Sequence, residues 1–212
     1  MESRQTLPIA AHYSITAPAA DRRMTAITPL RVALYGGTFD PIHHGHLILA
    51  RDAIEQLQLD RIVFIPAGIS PHKLEAPPTP PEVRRKLLAA ALEGEPRFEL
   101  DDRELLRDGP SYTVDTVEAI AAGLPRAKLY YFIGGDNVPK LSTWHRFETL
   151  RQLVEFVVFP RGPMPACEYQ SIGRQLDISS TEIRERVAQG ASIRYLVPES
   201  VRTLIDHHRL YR

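Results

Sequence analysis

The sequence predicts an α/β protein with a doubly wound, mostly parallel sheet and additional helices at its C-terminal end. Two observations predict this fold. Short apolar runs rich in β-branched and aromatic residues alternate along the chain with amphipathic helical patterns, which is typical of parallel strands joined by helical crossovers. A glycine-containing turn lies between the first apolar run and the first helical pattern, where α/β sheets of this kind bind ligands.

The elements follow one another in a regular order. The five apolar runs predict strands at Val32–Tyr35, Arg61–Pro66, Phe98–Asp101, Lys128–Ile133 and Glu155–Phe159. The helical patterns between them cover Gly45–Gln58, Glu82–Glu93, Tyr112–Ala122 and Arg146–Leu153. A short strand near Ile172–Ile178 is predicted next, followed by the C-terminal helices Thr181–Gln189 and Glu199–His207.

Residues 1–29 differ in composition from the rest of the chain. They contain three prolines and many small or polar residues without sustained periodicity, which predicts a flexible leader before one domain at residues 30–212. An organellar transit peptide is an alternative interpretation, although no amphipathic pattern supports it. Met24 could equally be the true start.

Composition limits the classes of function. The 26 basic residues of the 212-residue chain are offset by 26 acidic ones, so no overall field attracts nucleic acid or a membrane surface. No apolar run approaches the roughly 20 residues of a membrane helix. The single cysteine, Cys167, rules out an intramolecular disulfide and fits the reducing cytoplasm. A homo-oligomer is compatible with the sequence.

The turn after the first predicted strand carries the most chemical information. Its sequence, GGTFDPIHHGH, spans Gly36–His46. Two glycines allow the backbone to approach a phosphate closely, and the following helix presents free N–H groups to an anion. His43 and His46 are three residues apart, so both imidazoles can face one ligand at the helix start. This combination indicates a triphosphate site.

The three histidines of this turn also allow a zinc interpretation. Zinc needs three or four ligands, and the sole cysteine of the chain, Cys167, is distant from His43, His44 and His46 in sequence. The phosphate interpretation is therefore favoured, and no protein metal site is predicted.

Two further segments point to phosphate binding. Ile178–Arg184 reads ISSTEIR, an N-cap sequence whose hydroxyls and Arg184 could cradle an anion at a helix start. Residues 66–81 contain six prolines around Lys73. This loop is either a stiff surface connection or, because it follows the second strand, a cover over the ligand crevice that aims Lys73 at phosphate.

Two segments suggest a second pocket. Asp108–Thr116 is a turn in which Ser111 is predicted to cap a helix that buries Val114 and Val117. Asp136 follows the fourth strand, where a carboxylate commonly binds a ribose hydroxyl. Trp144 either packs in the core, as most tryptophans do, or presents a flat face to an aromatic ring.

Together these motifs resemble those of the nucleotidyltransferases that carry an H-x-G-H element. From about Arg31 onward the chain resembles a bacterial-type nicotinate-nucleotide adenylyltransferase. The resemblance implies a Rossmann-like nucleotidyltransferase fold and transfer of AMP from ATP to nicotinate mononucleotide, which gives deamido-NAD and pyrophosphate in NAD biosynthesis. It also implies that Mg²⁺ accompanies ATP.

The resemblance assigns roles to individual residues. Catalytic roles fall on His43, His46 and Arg184, and further ATP contacts on Gly36, Gly37, Thr38, Phe39, Ser179, Ser180 and Thr181. Substrate contacts fall on Asp40, Lys73, Thr113, Asp136, Trp144 and His145. The chain departs from the family pattern at Ser70, where the family has a proline, and at His145, where it usually has tyrosine.

Two alternative functions stay open at this point. A pantetheine-phosphate adenylyltransferase shares the first motif, but those enzymes are shorter and typically have T-x-G-H where this chain has His43. A non-catalytic nucleotide-binding regulator with the same fold is the other alternative. The intact His43, His46 and Arg184 argue against it.

Overall fold

The protein is represented by a computed structural model that describes residues 28–68, 78–160 and 168–212. All but the last two residues of the predicted leader lie outside these ranges, as do Lys73 and Cys167. The strands are β1 (Arg31–Gly37), β2 (Arg61–Pro66), β3 (Phe98–Leu100), β4 (Lys128–Gly134), β5 (Glu155–Phe159) and β6 (Gln170–Ser171). The α-helices are α1 (His44–Leu57), α2 (Pro81–Leu92), α3 (Thr113–Gly123), α4 (Phe147–Leu153), α5 (Ser180–Ala188) and α6 (Glu199–His207).

The predicted doubly wound sheet is confirmed. The described strands form a six-stranded sheet in the order β3-β2-β1-β4-β5-β6, and every pairing in it is parallel. β1 is central, with Val32 opposite Arg61 of β2 and Arg31 opposite Lys128 of β4. The strand order reverses between β1 and β4, so a crevice opens at their carboxyl ends, where folds of this type bind ligands.

Alternation along β1 divides the core into two layers. Ala33 and Tyr35 face the layer that contains buried residues of α1, α2, α5 and α6, whereas Val32 and Leu34 face the layer of α3 and α4. This alternation is expected because successive strand residues point to opposite faces of a sheet. α6 lies against α2, where the Ser200 hydroxyl donates to the Ala90 carbonyl over 2.9 Å.

Two local predictions, the last strand and the Ser111 cap, were wrong, and one element was not predicted. The last strand pairs at Gln170–Ser171 and not at residues 172–178, because the buried Ile172 follows the strand rather than forming it. The segment between β4 and α4 is a 3₁₀ helix, Gly135–Thr143. Ser111 does not cap α3, whose N-cap residue is Tyr112; the Ser111 hydroxyl instead lies 3.5 Å from the Glu104 carbonyl.

Candidate active site

The loop between β1 and α1 lies at the carboxyl edge of the sheet. A side chain at Gly36 would place its Cβ 2.3 Å from the Tyr131 hydroxyl, and one at Gly37 would lie 3.0 Å from the Phe39 ring. Phe39 is buried and has a positive φ of 48°. The glycines therefore keep this loop close to the sheet, in addition to the close phosphate approach that the sequence predicts.

His43 and His46 form a stacked pair at the start of α1. Their ring centroids are 3.7 Å apart with an angle of 28° between the planes. The backbone N–H of His43 lies 3.3 Å from Nδ1 of His46, which makes Nδ1 the acceptor and leaves the proton of a neutral His46 on Nε2. The donor atom of a neutral His46 is thus Nε2.

Both histidines are buried, although they lie at the start of a helix. His43 is 3% exposed and His46 is 9% exposed. The reason is aromatic packing, because the rings of Phe39 and Tyr35 lie 5.1 Å and 5.9 Å from that of His46. Gly45 has to be small, since a Cβ there would lie 2.9 Å from Nδ1 of His43. The histidines are held rigidly by this packing.

The start of α5 meets the β1–α1 loop. Ser179 caps the helix, as predicted, and its hydroxyl accepts from the Glu182 N–H over 3.1 Å. The Ser180 hydroxyl donates to the Pro41 carbonyl over 2.8 Å. Arg184 donates through Nη1 to the Asp40 carbonyl over 2.7 Å. The β1–α1 loop and the start of α5, about 140 residues apart in sequence, therefore meet in one site, the predicted phosphate cradle.

Asp40 anchors this loop to two other segments. Its Oδ1 accepts from the Tyr211 hydroxyl over 2.7 Å, and its Oδ2 accepts from the Thr79 N–H over 3.0 Å. Both carboxylate oxygens are thus engaged by the protein, and the residue is 7% exposed. We therefore assign Asp40 to holding the loop, and a contact between Asp40 and substrate stays a prediction.

Arg84 is a buried cation that the sequence analysis did not select. It is 1% exposed, and its guanidinium donates to the carbonyls of Thr38, Ala67 and Thr79 over 2.9, 2.8 and 3.0 Å. Desolvation lowers the pKa of Arg84, and the charge of Asp40 opposes that shift. A charge on the apolar face of α2, one turn before Leu87 and Leu88, is the signal that could have identified it.

The residues of the second predicted pocket lie at the start of α3 and at the end of the 3₁₀ helix. The rings of Tyr112 and His145 have centroids 4.4 Å apart, and the half-buried Trp144 packs edge-on against Tyr131 at 6.0 Å. Thr113 is the first residue of α3, and the first N–H groups of a helix have no acceptor within it. Asp136 is exposed after β4. Aromatic faces and helix-start donors are therefore adjacent here.

Arg146 connects the two sides of this pocket. It has a positive φ of 51°, a backbone conformation that L-residues adopt at a cost. Its Nη1 and Nη2 lie 3.0 and 2.5 Å from the carboxylate oxygens of Glu118, and Nη1 lies 3.7 Å from Asp115. This bidentate pair holds the residue next to His145 against α3.

A buried carboxyl lies beneath the pocket. Glu104 is 9% exposed and accepts from the Thr116 hydroxyl over 2.8 Å. Burial raises the pKa of the Glu104 carboxyl, and hydrogen bonds from Thr116 and the Gly68 backbone partly offset this shift. Burial also raises the pKa of Tyr131, as does the nearby charge of Glu104.

The raised pKa of Glu104 predicts a pH-dependent stability. The folded state holds this proton more tightly than the unfolded chain does, so ionisation above the ordinary pKa of 4.5 destabilises the fold. Relative to Glu104→Gln, the wild type should therefore gain stability as the pH falls from about 7 to about 5. Urea unfolding at both values measures this difference. For the control Glu93→Gln, at an exposed position, the difference in unfolding free energy from wild type should be the same at both pH values. If the difference for Glu104→Gln were also the same at both pH values, Glu104 would not have a raised pKa.

The described parts of the chain contain no group of three or more His, Cys, Asp and Glu side chains placed to hold a metal ion. Within these same ranges, no helix is long and apolar enough to cross a bilayer.

The sequence matches one known protein family and is similar to proteins that share one name. A model of the family described as cytidylyltransferase-like matches residues 34–186. A protein of Geobacillus thermodenitrificans is 44% identical over 187 residues, which cover 85% of this chain and 86% of that protein. One of Opitutus terrae is 41% identical over 192 residues, 86% of this chain and 98% of that protein. Both carry the name "probable nicotinate-nucleotide adenylyltransferase".

Solved structures agree on the fold. The nicotinic acid mononucleotide adenylyltransferase of Plasmodium falciparum, complexed with NaAD, aligns with a TM-score of 0.68 at 19% identity. The alignment covers 86% of this chain and 97% of that one. A second structure of that enzyme, complexed with APC, aligns with a TM-score of 0.66 at 18% identity, over 86% of this chain and 97% of the other.

Proposed function

Because the chain belongs to the nicotinate-nucleotide adenylyltransferases of the cytidylyltransferase-like family, we propose that it transfers AMP from ATP to nicotinate mononucleotide. The products are deamido-NAD and pyrophosphate. The observation that carries this proposal is that Arg184 donates to the Asp40 carbonyl of the β1–α1 loop, the same loop that leads into the His43–His46 pair. We propose that these two imidazoles, the guanidinium and the starts of α1 and α5 bind one polyanion.

The reaction we propose is a direct in-line displacement. The phosphate of the mononucleotide attacks the α-phosphorus of ATP, the bond from that phosphorus to the bridging oxygen of the β-phosphate breaks, and pyrophosphate leaves. A phosphate with a second pKa of about 6 is already a nucleophile near neutral pH, so no protein base is needed. The protein contributes positioning and stabilises charge on the reacting phosphates.

The proposed roles divide the described residues between the two substrates. We assign ATP to Gly36, Gly37, Thr38, Phe39, His43, His46, Ser179, Ser180, Thr181 and Arg184. We assign the mononucleotide to Thr113, Asp136, Trp144 and His145, with the ring stacking on Trp144. Lys73 is retained as a further phosphate contact.

Nucleotidyltransferases generally use a divalent metal ion with ATP, and we propose Mg²⁺ here. The described residues fit an ion held mainly by substrate, because Mg²⁺ binds through substrate phosphates and water with one or two protein ligands. The carboxylate in the β1–α1 loop, Asp40, is engaged by Tyr211 and Thr79. The ion would neutralise phosphate charge.

The single cysteine of the chain supports a cytoplasmic location.

An acceptor panel tests the proposed function. Pyrophosphate release from ATP is measured with nicotinate mononucleotide, with phosphopantetheine and without an acceptor. Release that depends on nicotinate mononucleotide is expected. Release with phosphopantetheine alone would favour the pantetheine enzyme, and ATP binding without release under any condition would favour a regulator.

Arg184→Ala is expected to raise the KM for ATP at least about tenfold and also to lower kcat, since a charge-assisted hydrogen bond contributes about 1.5–3 kcal/mol. Arg184→Lys should recover only part of the loss, because an ammonium cannot reproduce the guanidinium fork. Arg186→Ala is the matched control, since Arg186 lies on the same helix and donates to the Ser192 carbonyl. An unchanged KM for ATP in Arg184→Ala would show that residues 179–184 only begin a helix and do not bind ATP.

A further inference from the structure

The penultimate residue of the chain reaches the phosphate cradle. The Tyr211 hydroxyl donates to Oδ1 of Asp40 over 2.7 Å, across 171 positions in sequence. The carbonyl of the same Asp40 accepts from Arg184 over 2.7 Å. The side chain of Asp40 therefore accepts a hydrogen bond from Tyr211, and its backbone carbonyl accepts one from Arg184. This one residue of the β1–α1 loop connects the C-terminal tyrosine to the arginine that we assign to phosphate.

The C-terminal segment is shaped for this contact. Arg209 and Tyr211 have positive φ angles of 51° and 62°, and non-glycine residues keep such angles only where the surrounding structure enforces them. Leu210 and Tyr211 pack against the core layer of α1 and α2. The chain end is thus folded back onto the site.

The environment keeps Tyr211 a hydrogen-bond donor. Burial raises the pKa of its phenol, and the hydrogen bond to Asp40 and the charge of Asp40 raise it further. The phenol therefore stays protonated at every working pH. Asp40 needs this donor because it is almost fully buried, and its other oxygen is already occupied by the Thr79 N–H.

We propose that Tyr211 is a positioning residue for ATP binding: its hydroxyl fixes Asp40, and the Asp40 carbonyl orients the guanidinium of Arg184 toward the triphosphate. This inference rests on the proposed role of Arg184 in binding ATP. Tyr211 itself does not touch substrate. Its effect on ATP affinity passes through Arg184, and this dependence separates it from a residue that only stabilises the fold.

The test measures binding of an ATP analogue with a methylene group between the α- and β-phosphates, by calorimetry in the presence of Mg²⁺. The variants are Tyr211→Phe, Arg184→Ala and the double variant. Tyr195→Phe is the matched control, because Tyr195 belongs to the same C-terminal region and is 80% exposed. Circular dichroism and thermal unfolding monitor the fold of each protein.

Tyr211→Phe is expected to weaken analogue binding about tenfold, with the fold retained and the KM for nicotinate mononucleotide unchanged. In the Arg184→Ala background the same substitution should have no further effect, because the group that it positions is gone. Tyr195→Phe should bind like wild type.

Three outcomes would overturn the inference: unchanged affinity in Tyr211→Phe, an equal loss in the presence and absence of Arg184, or loss of the folded state, which would make the residue purely structural. Failure of the proposed function looks different. If the wild type binds the analogue but adenylylates no mononucleotide, the proposed acceptor is wrong, and the double-variant comparison still decides the role of Tyr211.

Discussion

His46→Ala is expected to lower kcat by about 10²-fold or more, the range for a lost donor to developing negative charge. In the structure Nδ1 of His46 faces the His43 N–H, so the proton of the neutral imidazole is on Nε2, which is the donor that we propose for the α-phosphate. The charge on the non-bridging oxygens changes during the displacement, and a fixed donor acts most strongly in the transition state.

Burial of His46 makes the alanine variant an incomplete test, because removing the ring also leaves a cavity beside Phe39. Two substitutions separate the roles of the nitrogens. Asparagine places a polar atom near the Nδ1 position and removes the Nε2 donor, whereas glutamine reaches the Nε2 position. We expect His46→Asn to lose activity as alanine does, and His46→Gln to retain more.

His44→Ala is the control, since this neighbouring histidine is less buried and the contact it makes with the Leu196 carbonyl uses its backbone N–H. Initial rates at saturating ATP and mononucleotide give kcat for the wild type and the four variants. A folded His46→Asn with near-wild-type kcat would remove His46 from the mechanism.

The enzyme is expected to prefer nicotinate mononucleotide over nicotinamide mononucleotide by at least about 10²-fold in kcat/KM. The two acceptors have nearly the same shape, so donors and charge must distinguish them. The start of α3 at Thr113 and the backbone at His145 offer N–H groups, which favour a carboxylate. An amide NH₂ there would leave polar groups unpaired, at about 1–3 kcal/mol each.

Arg146 provides a way to test this pocket model. The ion pair between Arg146 and Glu118 holds the neighbouring His145 toward α3. Arg146→Ala should therefore decrease the preference for nicotinate mononucleotide over nicotinamide mononucleotide. Arg151→Ala should not, because Arg151 lies on α4, which begins directly after Arg146, and pairs with the exposed Glu148. Initial rates with each mononucleotide give, for each variant, the ratio of kcat/KM with nicotinate mononucleotide to kcat/KM with nicotinamide mononucleotide. Comparable rates for the two acceptors in the wild type would contradict the model and mark a dual-specific enzyme.

The sequence predicted the sheet well because its strands are buried on both faces and its helices are amphipathic, which are local patterns. It failed where the pattern is not local. The edge strand β6 consists of polar residues, Gln170 and Ser171, which carry no apolar signal. The 3₁₀ helix contains Pro139 and has no period of 3.6 residues.

The candidate site was predictable in its motifs but not in its supports. Glycine, histidine and hydroxyl residues at fixed spacings indicate phosphate binding from the sequence alone. The burial of His46 depends on rings brought in by tertiary packing. The contacts from Tyr211 and Arg184 to Asp40 join residues more than 140 positions apart, and no local pattern encodes such contacts.

The central claim is that the phosphate of nicotinate mononucleotide attacks the α-phosphorus of ATP. The most direct measurement follows a heavy-oxygen label placed on that phosphate, using mass spectrometry of both products. If the displacement is as proposed, deamido-NAD carries all of the label, one labelled oxygen having become the bridge, and pyrophosphate carries none. Label in the pyrophosphate, or failure to form the dinucleotide at all, would contradict it.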